Sequence, residues 1–113
     1  MATGETKRLP EFEVEDLAIG DDHTLVLTGE LDIAAADALE AAIIPCASAA
    51  RLTLDLSGLS FMDVTGVRLV LLAQDLCKAR RIRLAVIPGP RQVQRTLEIA
   101  GILDQLPFQT GRT

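Results

Sequence analysis

The sequence predicts a single α/β domain, with a mixed sheet of about four to five strands and three to four helices mainly on one face. One observation is the segment 52–73, where an alternating strand pattern passes through a loop into an almost wholly apolar helix. The other is the order of elements: strand, strand, helix, strand, helix, strand, helix. The later strand–helix–strand steps require parallel neighbouring strands with right-handed crossovers, whereas the opening strands form an antiparallel hairpin.

Length and composition limit the chain to one globular unit. Its 113 residues suffice for one hydrophobic core, and 49% of them are apolar. No stretch approaches the roughly 20 apolar residues of a membrane span, and the N-terminus lacks the apolar core of a signal peptide. We therefore expect a cytoplasmic protein without membrane insertion, whose domain covers 11–108 between a flexible polar tail at 1–10 and another tail at 109–113.

The net charge of −5 is unevenly distributed. Residues 1–63 hold 13 acidic and 3 basic groups, a charge of −10, and residues 64–113 hold 3 acidic and 8 basic groups, a charge of +5. An acidic front half argues against nucleic acid as a partner. The basic cluster at 78–83 is better explained by its position at a helix end, where cations complement the helix dipole, than by phosphate binding.

The first two strands are predicted at 12–19 and 24–28, joined by a turn at 20–22. In the first strand the apolar alternation changes parity, because Phe12 and Val14 are followed by Leu17 and Ile19. This change predicts a bulge or a change of face near Asp16.

The first helix is expected to begin at Ile33 with Asp32 as its N-cap. Pro45 either ends the helix near Ile43 or kinks it. Three residues at helical spacing predict its inward face: Ala36, Leu39 and Ile43.

The central strand is predicted at 52–57, and the second helix at about 65–80. The helix has one narrow polar stripe, formed by Arg68, Asp75 and Lys78. A helix this apolar packs against the sheet and a neighbouring helix, or its first turns form a partner surface; both can hold.

The last strand is predicted at 82–87 and the third helix at 91–100. The inward face of this helix is assigned to Val93, Leu97 and Ala100. Gly101 suits the left-handed C-terminal cap, with Ile102 supplying the apolar contact of that cap.

The chain lacks the residue clusters from which active sites are built. His23 is the sole histidine and is interpreted as a surface turn residue rather than a metal ligand. Cys46 and Cys77 are interpreted as buried small hydrophobic residues. There is no glycine-rich phosphate loop, and without Tyr or Trp there is no base-stacking platform. We expect a protein that is not an enzyme and uses no cofactor and no metal.

The chemically interesting stretch is Asp63-Val64-Thr65-Gly66, where the central strand leads into the second helix. A helix N-terminus carries unpaired backbone N–H groups and the positive end of the helix dipole. A hydroxyl that becomes phosphorylated is well placed there, because backbone donors can bind the new phosphate.

The run FMDVTGVR at 61–68 resembles the signature of STAS domains, above all the bacterial anti-sigma factor antagonists. In that family the loop usually reads Asp-Ser-Ser-Gly or Asp-Ser-Thr-Gly, and a partner kinase phosphorylates the first hydroxyl residue after the Asp. Segments 27–32, 83–86 and 93–108 agree with the family in order and spacing. The resemblance covers roughly residues 12–108 and implies the STAS fold.

The function that the resemblance implies is partner switching. The unphosphorylated domain would bind an anti-sigma factor of the GHKL kinase type and so release a sigma factor, and phosphorylation would end the binding. The resemblance also allows a homodimer. It places partner contacts on six residues, with the loops carrying the two Asp residues side by side: Asp32, Asp63, Val64, Thr65, Gly66 and Arg68.

One departure from the family pattern concerns regulation. Val64 stands where the family has its phosphorylated serine, and Thr65 matches the second hydroxyl position. Either Thr65 accepts the phosphate in a shifted register, or the protein cannot be switched off at this loop. The structural alternative for Thr65 is that its hydroxyl caps the helix.

Two other functions stay open. The chain can be a STAS scaffold within a larger signalling assembly such as a stressosome, or an accessory subunit of a membrane lipid-transport ATPase. Binding of a small ligand or nucleotide at the loop end is a weaker alternative.

Overall fold

The computed structural model describes residues 11–109, and both ends of the chain, 1–10 and 110–113, lie outside this range. Short 3₁₀ turns occur at Ile33–Ala35, Ile44–Ser48 and Leu103–Gln105. The regular elements are β1 Phe12–Ile19, β2 Asp22–Leu31, α1 Ala36–Ile43, β3 Arg51–Met62, α2 Val64–Arg80, β4 Arg83–Ile87 and α3 Arg91–Ile99.

The four strands form one mixed sheet in the order β1-β2-β3-β4. β1 and β2 are an antiparallel hairpin, and β3 lies parallel to both β2 and β4. The predicted fold class is therefore confirmed. Beyond the four strands, Phe108 forms a parallel bridge with Val86 at the free edge of β4. The Gln109 N–H also donates to the Val86 carbonyl at 2.8 Å, so Gln109 lies against the sheet.

The core lies between the sheet and the helices. The alternating leucines of β2 and β3 are almost completely buried, as the apolar periodicity predicts: Leu25, Leu27, Leu52, Leu54 and Leu56. α1 contributes Leu39 and Ile43 to the same core. Pro45 ends α1 at Ile43, after which the chain continues as a 3₁₀ turn. Both cysteines are buried and free, as expected.

The bulge predicted in β1 is wrong. β1 pairs with β2 without a register shift from Phe12 to Ile19. The other alternative, a change of face, holds: with the register unbroken, Leu17 and Ile19 lie on the face opposite that of Phe12 and Val14 and are 48% and 83% exposed. The sheet's irregularities lie between β2 and β3, next to Thr28 and Gly29.

β3 extends beyond its predicted end, which changes the geometry of the following loop. The strand is predicted to end at residue 57, but segment 58–62 also pairs with the end of β2, and Leu31 lies opposite Met62. Parallel pairing supplies backbone hydrogen bonds that the Gly and Ser content of this segment does not indicate. The connection from β3 to α2 is consequently Asp63 alone.

The third helix matches its prediction except at its last residue. Val93 and Leu97 are fully buried, whereas Ala100 is exposed, so its inward assignment is wrong. The helix ends at Ile99, and Gly101 adopts the left-handed conformation with φ 79°. Because the chain turns there, Ala100 leaves the inward face, and the Ile102 N–H donates to the Leu97 carbonyl at 3.2 Å.

Candidate protein-docking site at the start of helix α2

Asp63 holds the start of α2 in place. Its extended backbone (φ −114°, ψ −166°) makes it the N-cap, and its carboxylate accepts a hydrogen bond from the Thr65 N–H at 2.9 Å. The Asp63 N–H donates to the Leu31 carbonyl at 3.3 Å, which ties this cap to the end of β2. The N-capping role considered for the Thr65 hydroxyl thus belongs to the preceding carboxylate.

Asp32 has the matching position on the neighbouring strand. Its carboxylate accepts from the Ala34 N–H at 3.0 Å and caps the 3₁₀ turn that precedes α1. Leu31 and Met62 are register partners, so Asp32 and Asp63 directly follow two paired strand ends. The two acidic loops therefore lie side by side at one edge of the sheet.

Gly66 lies in the first turn of α2 and is buried against the strand ends. A Cβ atom at this position would lie 2.5 Å from Met62 Cγ and 3.1 Å from the Leu31 carbonyl oxygen. The absence of a side chain therefore lets α2 begin directly on β2 and β3. Gly66 shapes the site by this close approach, since it has no side chain to offer to a partner.

Three β-branched apolar side chains at this edge of the molecule remain exposed, and we call them the apical patch: Ile33, Val64 and Ile99. Their exposed fractions are 78%, 65% and 74%. They come from the turn before α1, the first residue of α2 and the last residue of α3. Only Val64 is indicated by the sequence, because Ile33 and Ile99 join the site through the fold.

Two grooves flank the start of α2. The groove between α1 and α2 has a volume of about 370 Å³ and is lined by Ile33, Thr65, Arg68 and Leu72, among others. The groove between α2 and α3 has a volume of about 350 Å³, and its lining includes two residues of the apical patch, Val64 and Ile99. The start of α2 is therefore a ridge between two concave surfaces.

Thr65 and Arg68 share the groove between α1 and α2. Thr65 is half-buried, and the exposed Arg68 lies one turn later on the same helix. Glu40 of α1 lines the same groove. The groove thus combines a hydroxyl, a guanidinium and a carboxylate with apolar walls, and Asp32 and Asp63 lie at the adjacent loop ends.

Two side chains that sequence reasoning missed fix α3 to this site. Gln92 accepts from the Met62 N–H at 3.0 Å and donates to the Met62 carbonyl at 3.2 Å, and the Thr96 hydroxyl donates to the same carbonyl at 3.2 Å. These partners are about 30 residues apart in sequence, so no local pattern indicates them. They hold Ile99 beside the start of α2.

A family model described as "Mlab, STAS domain" matches residues 17–107. The chain belongs to the STAS domain family. No curated protein matched it. None of the helices within residues 11–109 combines the length and the apolar character needed to cross a membrane.

Solved structures share the fold of this STAS domain. An anti-sigma factor antagonist from Mycobacterium paratuberculosis is 19% identical, with a TM-score of 0.76, covering 88% of this chain and 86% of that one. The anti-sigma factor antagonist SpoIIAA in its unphosphorylated form is 24% identical, with a TM-score of 0.72 and 88% of each chain covered. The phosphorylated form of the Bacillus cell fate determinant SpoIIAA is 24% identical, with a TM-score of 0.66, covering 88% and 91%.

Proposed function

We propose that this STAS domain is a cytoplasmic anti-sigma factor antagonist that docks on an anti-sigma factor of the GHKL kinase type through the start of α2. The observation that carries the proposal is Val64. It is 65% exposed as the first residue of α2, on the ridge between two grooves, whereas the inward face of the same helix is buried. Two proteins with the same fold are described as anti-sigma factor antagonists, which supports this choice of partner.

The chemistry of the surface suits a protein partner. The apical patch offers an apolar centre, and three charged groups adjoin it: Asp32 precedes Ile33, Asp63 precedes Val64, and Arg68 lines a groove with Ile33. An apolar centre with a polar rim is the usual arrangement of a protein–protein interface. Both carboxylates already accept backbone hydrogen bonds, so they are held in position before a partner arrives.

Partner switching requires a way to weaken this contact, and Thr65 is the candidate acceptor. A phosphate on Thr65 would add about −1.5 to −2 charges to a groove that contains Glu40 and Arg68. Arg68 would pair with the phosphate and so become unavailable to the partner. The carboxylates of Glu40 and Asp63 would repel the phosphate. A relative of the same fold has been solved in a phosphorylated form, which supports a switch of this kind.

The docking proposal is tested by affinity capture from the host's lysate with three versions of the chain, read by mass spectrometry. We expect the native chain to recover a GHKL-type kinase and Val64→Asp to lose it. Ile19→Asp is the matched control, because Ile19 is 83% exposed but lies at the hairpin turn, at the opposite end of the sheet. Equal recovery of the kinase by Val64→Asp would refute this interface.

The regulatory proposal is tested separately by incubating the chain with the recovered kinase and mapping phosphopeptides. Phosphate on Thr65 of the native chain, and none on Thr65→Val, would establish that the acceptor lies one residue later than the family's phosphorylated serine. Phosphate on no residue, with binding intact, would identify a constitutive antagonist. In that case Val64→Ser should restore a site that the kinase modifies.

A second candidate is an accessory subunit of a membrane lipid-transport ATPase. The family model whose description reads "Mlab, STAS domain" favours it. In this role the start of α2 would contact the ATPase, and Val64 would need no hydroxyl. Recovery of an ABC ATPase instead of a kinase, lost in Val64→Asp but kept in Ile19→Asp, would select this function.

A further inference from the structure

Three side chains with different metal-binding atoms meet at the hairpin end of the sheet, away from the start of α2. They are Asp16 of β1, His23 of β2 and Cys46 of the 3₁₀ turn after α1, and one ligand atom from each lies within 4.8 Å of the others. Because three separate elements supply them, the fold creates the cluster, and no sequence spacing indicates it. The interpretation of His23 as a surface turn residue is wrong in this respect, since His23 lies within β2 and is half-buried.

The strand register explains the meeting of the first two. Ala18 lies opposite His23, so Asp16, two residues along β1, is the diagonal neighbour of His23 on the same face of the hairpin. His23 Nδ1 lies 2.9 and 3.0 Å from the two carboxylate oxygens of Asp16.

Cys46 supplies the inner side of the cluster. It is completely buried, and its Sγ donates a long hydrogen bond to the Ala42 carbonyl at 3.5 Å. The side chains of His23 and Asp16 are 20% and 33% exposed, so they form the outer side of the cluster. A small ion can therefore approach from solvent and find one thiol, one imidazole and one carboxylate.

We propose that Asp16, His23 and Cys46 form a binding site for a divalent metal ion of the Zn²⁺ class, with water as the fourth ligand. Sulfur and imidazole ligands select Zn²⁺ and its transition-metal neighbours over Mg²⁺ and Ca²⁺, which prefer oxygen. Usual bond lengths to tetrahedral zinc place ligand atoms roughly 3.3–3.6 Å apart. Side-chain movements of about 1 Å would reach that spacing: Cys46 Sγ moves inward, and the His23–Asp16 pair opens from 2.9–3.0 Å as its hydrogen bond is exchanged for bonds to the metal.

The protonation state of the thiol changes when the metal binds. Burial is the main reason that the pKa of Cys46 is raised to about 11, and the charges of Asp16 and Cys77 raise it further. Without metal the group is a neutral thiol. Metal binding replaces its proton, which leaves to solvent, and the cation offsets the two negative charges of the thiolate and the Asp16 carboxylate.

The consequence for the protein is structural and independent of the docking site. The metal would join the β1–β2 hairpin to the turn that leads from α1 into β3. A metal held only by the folded chain stabilises it by mass action. Free Zn²⁺ at about 100 times its Kd should lower the ratio of unfolded to folded chain about 100-fold.

The test is a titration of the full chain, purified with chelator, with Co²⁺ as a spectroscopic probe. We expect the near-ultraviolet charge-transfer band of a Co²⁺–thiolate bond, which Zn²⁺ abolishes by displacement. Cys46→Ser should remove the band, and His23→Gln should weaken Co²⁺ binding at least about tenfold, because loss of even an outer-shell partner of a metal ligand costs about 10–100-fold in affinity. His23 is only partly buried, so His23→Gln serves as the second variant if Cys46→Ser does not fold.

Two matched controls keep the ligands and change their neighbours. Cys77→Ser removes the other buried thiol, and Asp22→Asn removes an exposed carboxylate of the same hairpin. Both should bind Co²⁺ with the band of the native chain. Absence of the band in the native chain, or its persistence in folded Cys46→Ser, would overturn the proposal. Loss of the band in Cys77→Ser would overturn this set of ligands.

Discussion

Replacing Gly66 by Ala tests how closely α2 approaches the strand ends. The added methyl group would lie 2.5 Å from Met62 Cγ and 3.1 Å from both Leu31 Cγ and the Leu31 carbonyl oxygen. Met62 and Leu31 are 1% and 0% exposed, so neither can move into open space. The start of the helix must shift away from the sheet, or these core side chains must repack.

The net effect combines two opposing terms. In a helix interior alanine is about 1 kcal/mol more favourable than glycine, and for Gly66 in the first turn of α2 this is an upper bound. Forcing a methyl group into a packed core costs about 1–3 kcal/mol, and the fixed carbonyl oxygen places this site towards the upper end. We expect Gly66→Ala to lower the free energy of unfolding by about 1–2 kcal/mol. For a chain of 113 residues this corresponds to a fall in Tm of roughly 4–8 °C.

The assay is thermal unfolding followed by circular dichroism and calorimetry. Val64→Ala is the control, because Val64 lies in the same first turn of α2 with a largely exposed side chain, and the Tm of this variant should change by no more than about 2 °C. A Tm for Gly66→Ala equal to or above that of the native chain would show that helix propensity dominates. The close approach of α2 would then be wrong.

Two further predictions concern the cap and the thiols. Asp63→Ala removes the hydrogen bond from the Thr65 N–H and should lower the free energy of unfolding, measured in urea, by about 1 kcal/mol. Asp63→Asn keeps a side-chain acceptor and should retain most of that stability. Equal losses in the two variants would contradict the capping role. The pKa of Cys46 is raised by burial to about 11 from an ordinary 9.0, and burial also raises the pKa of Cys77. The folded chain therefore holds these protons more tightly than the unfolded chain, so stability present below pH 9 should be lost as pH rises from 9 to about 11. An unchanged urea midpoint across that range would contradict this origin of the shift.

Local patterns in the sequence predict much of the fold. The caps Asp32 and Asp63, the stop at Pro45 and the left-handed Gly101 all act within a few residues of the helix end they define. Apolar periodicity likewise identifies the buried faces of β2 and β3, but not that of β1, where Leu17 and Ile19 are exposed. These features are local, so propensity and side-chain spacing suffice to place them.

The remaining features depend on contacts between distant segments. β3 continues to Met62 because β2 pairs with it, although Gly58 and Ser60 favour a loop. The apical patch joins Ile33 and Ile99 to Val64 only after three elements meet. The exposure of Ile99 depends on where Gln92 and Thr96 of α3 bind the backbone of Met62, and no local sequence pattern indicates those hydrogen bonds.

The central claim is that Val64 lies inside a protein interface. The measurement is calorimetric titration of the captured partner with the native chain, Val64→Asp and Ile19→Asp. Burying valine gains about 1.5 kcal/mol, and an unpaired carboxylate in its place costs at least about 1 kcal/mol more, which gives a loss of roughly 30–100-fold in affinity. An acidic residue in the first turn of a helix suits its dipole, so the fold should persist. We predict that loss for Val64→Asp and native affinity for Ile19→Asp; equal affinities for all three would contradict the claim.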